Sequence, residues 1–159
     1  MSLRIRGVEI QSFEAEFKRP FVTALGRKTS SPNVGVLLAL SDGSQGYGEA
    51  SASLALAHLS AERLARALSE TGHWARGQEA SCPGALVERT WERLSGLSPA
   101  AAAFECALLA ACAASRGLSL RAWLGGALRE LETDITLSAW DADATFAAAR
   151  EARAEGFRL

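Results

Sequence analysis

The run SDGSQGYGEAS, Ser41 to Ser51, sets Gly43, Gly46 and Gly48 ahead of a single acid, Glu49. Glycines beside a carboxylate have three chemical readings: a phosphate cradle, a general acid or base, or a mark of the fold. A phosphate loop needs a strand, then G-x-G-x-x-G, then a helix whose free N–H groups aim at the anion. Here the glycine spacing differs, and Asp42-Gly43 is a hairpin signal between two strand-like runs. Glu49 has no His, Lys or second carboxylate nearby in sequence to tune it for proton transfer. It reads as a structural residue.

The other residues that carry chemistry are scattered. Lys18 and Lys28 are the only lysines, and both fall in the amino-terminal strand region. Asp134 sits in a strand-like run, and Asp141 and Asp143 follow it as helix caps, with no partner of the kind proton transfer requires. His58 and His73 share no motif with another ligand type and read as surface or helix-end residues. Cys82, Cys106 and Cys112 make an odd count, and Cys106 and Cys112 stand about 240° apart around a helix, so they read as small apolar fillers. Trp74, Trp91, Trp123 and Trp140 lie on separate elements and read as core builders. The residues alone predict no catalytic group and no metal ligand.

The elements that carry these residues change period along the chain. RIRGVEIQSFEAEF alternates apolar and polar residues with a slip near Gln11-Ser12, which predicts a long strand with a bulge. A polar loop, GRKTSSP, leads to NVGVLLAL, a strand expected to be covered on both faces. Asp42-Gly43 turns it into SQGYGEA, which completes an antiparallel meander. From Ser60 the period becomes helical. Ser60 caps AERLARALSETGHWA, Pro83 opens a second helix that ends at Gly96, and Ser98-Pro99 opens an alanine-rich third helix that closes at Arg116-Gly117. The low charge of that third helix predicts close packing on all sides. LSLRAWLGG adds a short helical turn. ETDITLSAW then reads as a strand, Asp141 or Asp143 caps ATFAAAREARAE, Gly156 stops it, and FRL begins another extended run, which together open a βαβ unit.

Composition limits the partners. The 159 residues carry 17 basic and 18 acidic side chains, net charge −1, with 48% hydrophobic content. This is a globular balance with no bulk field to hold nucleic acid or an anionic membrane. The arginines and glutamate of MSLRIRGVEI interrupt the apolar run a signal peptide needs, so a soluble cytoplasmic protein is expected.

The ordered words RPFVTALG, NVGVLLALSDGSQGYGEAS, AAFECALLAACAASRGLSLRAWLGG and LETDITLSAW resemble the enolase superfamily, muconate lactonizing enzyme subgroup, most nearly the L-Ala-D/L-Glu and related dipeptide epimerases. The resemblance implies an α+β fold: a three-stranded antiparallel meander and a helical bundle form an enolase-like capping domain over residues 1–130. The first β-α of an incomplete (β/α)8 barrel would follow over 131–159.

The family's chemistry uses Mg²⁺ held by three acids at barrel strand ends and two lysines that serve as base and acid on either face of a carbon next to a carboxylate. In the family pattern those residues lie beyond Leu159. The resemblance therefore implies Mg²⁺ in the full-length enzyme, none bound by this chain alone, and a chain that is catalytically silent by itself. A whole barrel takes roughly 250 residues, so completion by a barrel portion or self-association is expected. The dipeptide-like substrate would be shaped by Phe21, Thr23, Leu25, Gly26 and Arg27 on the first loop, by the SASLAL loop, and by Thr136 near the end of the first barrel strand. Ser138 there is a further candidate donor. In relatives an arginine on the first loop pairs with a substrate carboxylate; here Gly26 takes its place and Arg27 follows. A muconate cycloisomerase or o-succinylbenzoate synthase fragment shares the cap pattern, and a free-standing binding or assembly module derived from the cap is the alternative of another class.

Overall fold

The structure is a computed structural model that describes residues 2–52, 56, 58–127 and 130–158. Its elements run β1 (Ile5–Thr23), β2 (Gly26–Leu40), β3 (Gln45–Ser51), α1 (Ala61–Ala75), α2 (Gly84–Arg93), α3 (Ser98–Ala114), α4 (Leu120–Trp123) and α5 (Ala142–Ala154). They gather into two compact units: the described residues of 1–15 and 32–127 form one, and those of 16–31 and 128–159 the other.

In the first unit the sheet has the order β1-β2-β3. β2 pairs antiparallel with β3 in a register that sets Val36 opposite Gly48 and Leu38 opposite Gly46. Val34, Val36, Leu38 and Leu40 are fully buried on one face, whereas Leu37 and Ala39 are only half-buried, so the expected cover on both faces is complete on one side alone. The apolar face packs with Leu64 and Leu68 of α1 and with Phe104 and Leu108 of α3. The opening of β1 is held from the other side: Ile5 N–H donates to the Gln78 carbonyl at 3.1 Å and Gly77 N–H to the Ile5 carbonyl at 2.9 Å.

The two glycines of GYGEA belong to α3. That helix lies on β3 so closely that a β-carbon at Gly48 would stand 1.9 Å from the Ala103 carbonyl oxygen, and one at Gly46 would stand 2.1 Å from that of Ala107. Four residues of helix advance about 6 Å and two of strand about 6.8 Å. A Gly-x-Gly on the strand therefore matches an alanine row at i, i+4 on the helix, small against small. Glu49 points the other way: Asn33 Nδ2 donates to its Oε1 at 2.7 Å and the Tyr47 hydroxyl to its Oε2 at 3.0 Å. Its carboxylate joins two strands, which is a structural task.

The local helix signals appear as side-chain caps. Ser60 Oγ accepts from Arg63 N–H at 3.2 Å, and Asp141 Oδ1 accepts from Ala144 N–H at 2.8 Å, which selects Asp141 over Asp143 as the cap of α5. Pro83 occupies the N-cap of α2. Other expectations need correction. The GRKTSSP segment belongs to β2 and forms no loop, because Ala24-Leu25 alone joins β1 to β2 and the segment runs on as a strand beside β1. Residues 130–140 hold no assigned strand, since a strand is defined by a neighbour's ladder. Among the described residues of FRL, Phe157 and Arg158 are irregular; Leu159 lies outside them. Of the cysteines only Cys112 is a buried filler; Cys82 and Cys106 are exposed. Of the tryptophans, Trp74 and Trp123 pack partly buried against the core, whereas Trp91 is exposed; Trp74 also faces the guanidinium groups of Arg89 and Arg93 at 4.9 and 5.4 Å, and Trp91 Nε1 donates to Glu105 at 2.6 Å. Their polar edges and cation-attracting faces keep part of each at the surface.

Two carboxylates tie the turns. Asp42 accepts from the Ser115 hydroxyl at 2.6 Å and from Ser44 N–H at 2.9 Å, and these bonds hold its carboxyl below its ordinary value. Glu79 is lowered likewise, chiefly by the hydroxyl and N–H of Ser81, with Arg4 adding to the effect. A depressed folded-state pKa contributes stability above the unfolded value, near pH 4, and that contribution is lost as pH falls through the folded value. The Asp42→Asn, Glu79→Gln double variant is therefore expected to lose less stability than wild type between pH 7 and pH 3. Urea midpoints at the two pH values check this, and equal losses would show that these bonds do not carry the acid sensitivity.

Candidate functional site

The second unit places the tip of the β1–β2 hairpin with the segment 130–140 and helix α5. Between them lies a cleft of about 410 Å³, walled by Phe21 on β1, by Ile135, Thr136 and Leu137, by Trp140, and by α5 through Ala148 and Ala152. Its size is in the range of small-molecule sites. Of the candidate site residues singled out in the sequence, Phe21, Thr136 and Ser138 meet on this cleft. Thr23, Leu25, Gly26 and Arg27 form the hairpin turn and stand outside its lining. The Leu25 N–H donates to Thr23 Oγ1 at 3.2 Å, and the Leu25 side chain is 67% exposed. Ser53, Leu54, Ala55 and Ala57 of the SASLAL region lie outside the described residues.

Gly26 has φ 142°, a conformation that side chains other than glycine rarely adopt. Position 26 therefore favours glycine, and Arg27 beside it is exposed.

Sequence reasoning missed the charged rim of the cleft. Lys18 and Arg19 contribute from β1, Glu151 and Glu155 from α5. Arg19 pairs with Glu151, and that hydrogen bond, then its charge, raises the guanidinium's pKa further. Both partners are more than half exposed, so water screens most of the pair's energy. The signal in the sequence was the i, i+4 spacing of Glu151, in the last turn of α5, and Glu155, its C-cap, which sets both acids on one side of the helix end.

Ser138, read as a further candidate donor, also lines the cleft, and its hydroxyl is engaged with the hairpin backbone. Its side chain is 8% exposed; Oγ accepts from Val22 N–H at 3.1 Å and donates to the Pro20 carbonyl at 3.3 Å. The hydroxyl's donor and one acceptor site are thus taken by the hairpin backbone. Among the described residues no three His, Cys, Asp or Glu side chains come together in a set that could hold a metal ion, so these residues by themselves do not make a Mg²⁺ site. No helix among the described residues is long and apolar enough to cross a membrane.

No protein-family model matches the chain. Among curated proteins it is 30% identical over 156 residues to the L-Ala-D/L-Glu epimerase of Thermotoga maritima, covering 98% of this chain and 45% of that protein. Among solved structures it is similar to the dipeptide epimerase of Cytophaga hutchinsonii complexed with Mg and the dipeptide D-Ala-L-Val, with a TM-score of 0.90, 27% identity, and coverage of 99% of this chain and 42% of that one. It is equally similar in fold to the substrate-liganded L-Ala-D/L-Glu epimerase of Bacillus subtilis, with a TM-score of 0.91, 28% identity, and coverage of 97% and 43%. These relatives are dipeptide epimerases of the mandelate racemase/muconate lactonizing group of the enolase superfamily, and the chain matches their amino-terminal part. It spans less than half of their length.

Proposed function

We propose that this chain is the amino-terminal, specificity-shaping portion of a Mg²⁺-dependent dipeptide epimerase, with residues 1–130 as its cap and 131–159 as the first β-α of its barrel. The observation that carries this reading is a near-complete match, at a TM-score of 0.90, to the corresponding part of a structure holding Mg and a dipeptide. The named identity of the curated relative supports a dipeptide over a muconate or succinylbenzoate substrate.

In this reading Phe21, Thr23, Leu25, Gly26, Arg27 and Thr136 face the substrate. The hairpin tip supplies apolar walls and a cation, and Thr136 supplies a hydroxyl at the end of the barrel segment where functional groups collect. The metal ligands and the proton-transferring lysines come from the remainder of the enzyme. Leu131, Ile135 and Phe146, which are 87%, 43% and 66% exposed, are apolar surface for that remainder to cover. The displaced cation separates this chain from relatives selective for acidic side chains: a flexible Arg27 next to a glycine pairs less tightly than a fixed bidentate arginine.

The test mixes the purified chain with a separately produced barrel portion of the Thermotoga maritima relative, with Mg²⁺, in heavy water. Exchange of the α-proton of acidic, basic and aromatic dipeptides is followed by NMR. Exchange in the mixture and in neither part alone is expected. A barrel portion that works with its own amino-terminal half and stays inactive with this chain would sink the proposal in favour of a free-standing module.

A further inference from the structure

β1 is an edge strand, because the sheet order places β2 on one side of it only. Edge strands present a row of unpaired N–H and C=O groups that must be met by something. Near the hairpin tip the free edge carries the carbonyls of Pro20 and Val22 and the N–H of Val22, since groups two residues apart along a strand point to the same side. Pro20 has no N–H, so this edge asks for one acceptor fewer, and an edge strand is where a sheet tolerates proline.

All three groups are met by two consecutive residues. The Ala139 N–H donates to the Val22 carbonyl at 2.9 Å, as a neighbouring strand would. The next ladder partner is a side chain: Ser138 Oγ accepts from Val22 N–H at 3.1 Å and donates to the Pro20 carbonyl at 3.3 Å. A hydroxyl can do both at once, and this one is 8% exposed, so competition from water is weak. Thr136, two residues earlier, lines the same cleft as Phe21, the residue between the two hydrogen-bonded positions.

We propose that Ser138 is a positioning residue whose hydroxyl clasps the edge of β1 at Pro20 and Val22, holding the hairpin tip so that Phe21 and Thr136 share one cleft. This rests on the reading of that cleft as part of a dipeptide site, and it adds how the specificity hairpin is held: by one hydroxyl on the barrel segment. The clasp acts through backbone groups, so it sets the hairpin's position whatever side chains the tip carries for a given dipeptide.

The test uses the 159-residue chain without substrate, metal or barrel, so a failed complementation leaves it intact and its failure leaves complementation standing. Amide hydrogen exchange is measured by NMR for wild type, Ser138→Ala and Ser138→Thr. Losing one partly buried hydrogen bond is expected to speed exchange at the Val22 amide about tenfold in Ser138→Ala. Val36 and Leu38, in the middle of the sheet, serve as reference amides and are expected to change by less than about twofold. Ser138→Thr, which keeps the hydroxyl, is expected to stay within about threefold of wild type at Val22. An unchanged Val22 amide in Ser138→Ala would overturn the clasp. Equal acceleration at Val22, Val36 and Leu38 would overturn it too, by showing that the hydroxyl supports the whole fold and holds no particular segment.

Discussion

Gly48→Ala is expected to lower the stability of the sheet-and-helix unit by about 3 kcal/mol or more, enough to unfold a marginal domain at ordinary temperature. The new methyl carbon would sit 1.9 Å from the Ala103 carbonyl oxygen, 2.8 Å from its carbonyl carbon and 3.0 Å from Ala107 N. All three are backbone atoms of a helix, which no rotamer change can move aside. α3 would have to lift by more than an ångström, and lifting it opens the contact around Phe104 and Leu108, both fully buried. Close-packed interiors have no slack to absorb such a shift. Gly7→Ala is the control, because a β-carbon there meets nothing within 4 Å and the backbone angle suits any residue. It is expected to be neutral or to stabilise by less than about 1 kcal/mol. Urea unfolding followed by far-ultraviolet circular dichroism compares the two. Matching midpoints for Gly48→Ala and Gly7→Ala would show that α3 does not lie as close to β3 as the structure places it.

Phe104→Ala removes the largest fully buried side chain among the described residues and is expected to cost about 3–5 kcal/mol. The cost depends on whether the surroundings collapse into the void. Along α3 the buried neighbours of Phe104 are mostly alanines, Ala100, Ala101, Ala103 and Ala107, with no side-chain length to spare. The facing strands bring Val34, Val36 and Leu38, whose backbones are fixed by pairing with β3. The cavity should therefore persist. Phe104→Leu keeps much of the volume and is expected to lose less. Chemical unfolding followed by tryptophan fluorescence measures both variants, and a loss under about 1 kcal/mol for Phe104→Ala would mean that α3 can settle into the gap.

Both variants test the same element, α3, and the packing of β2 and β3 that it covers.

The sequence by itself determined the order of the three meander strands and of the helices, the Asp42-Gly43 turn, the cap at Ser60, the stop at Gly156 and the likeness to dipeptide epimerases. Those are local signals: a cap or a turn is decided within four residues, and the periods of two and 3.6 are visible in any short window. It also excluded a phosphate role for the glycines beside Glu49. The structure alone showed what they are for, because the reason lies on α3, far later in the chain. Partners distant in sequence decided the other surprises as well. GRKTSSP looks like a loop until β1 pairs along it, and ETDITLSAW looks like a strand although nothing described here pairs with it as a ladder. Ser138 reads equally well as a substrate donor or a plain strand residue, and only its burial beneath the backbone of Pro20 and Val22 assigns the hydroxyl. Composition and spacing carry local preference; which atoms meet across the chain is settled by packing, and the candidate site is made of such meetings.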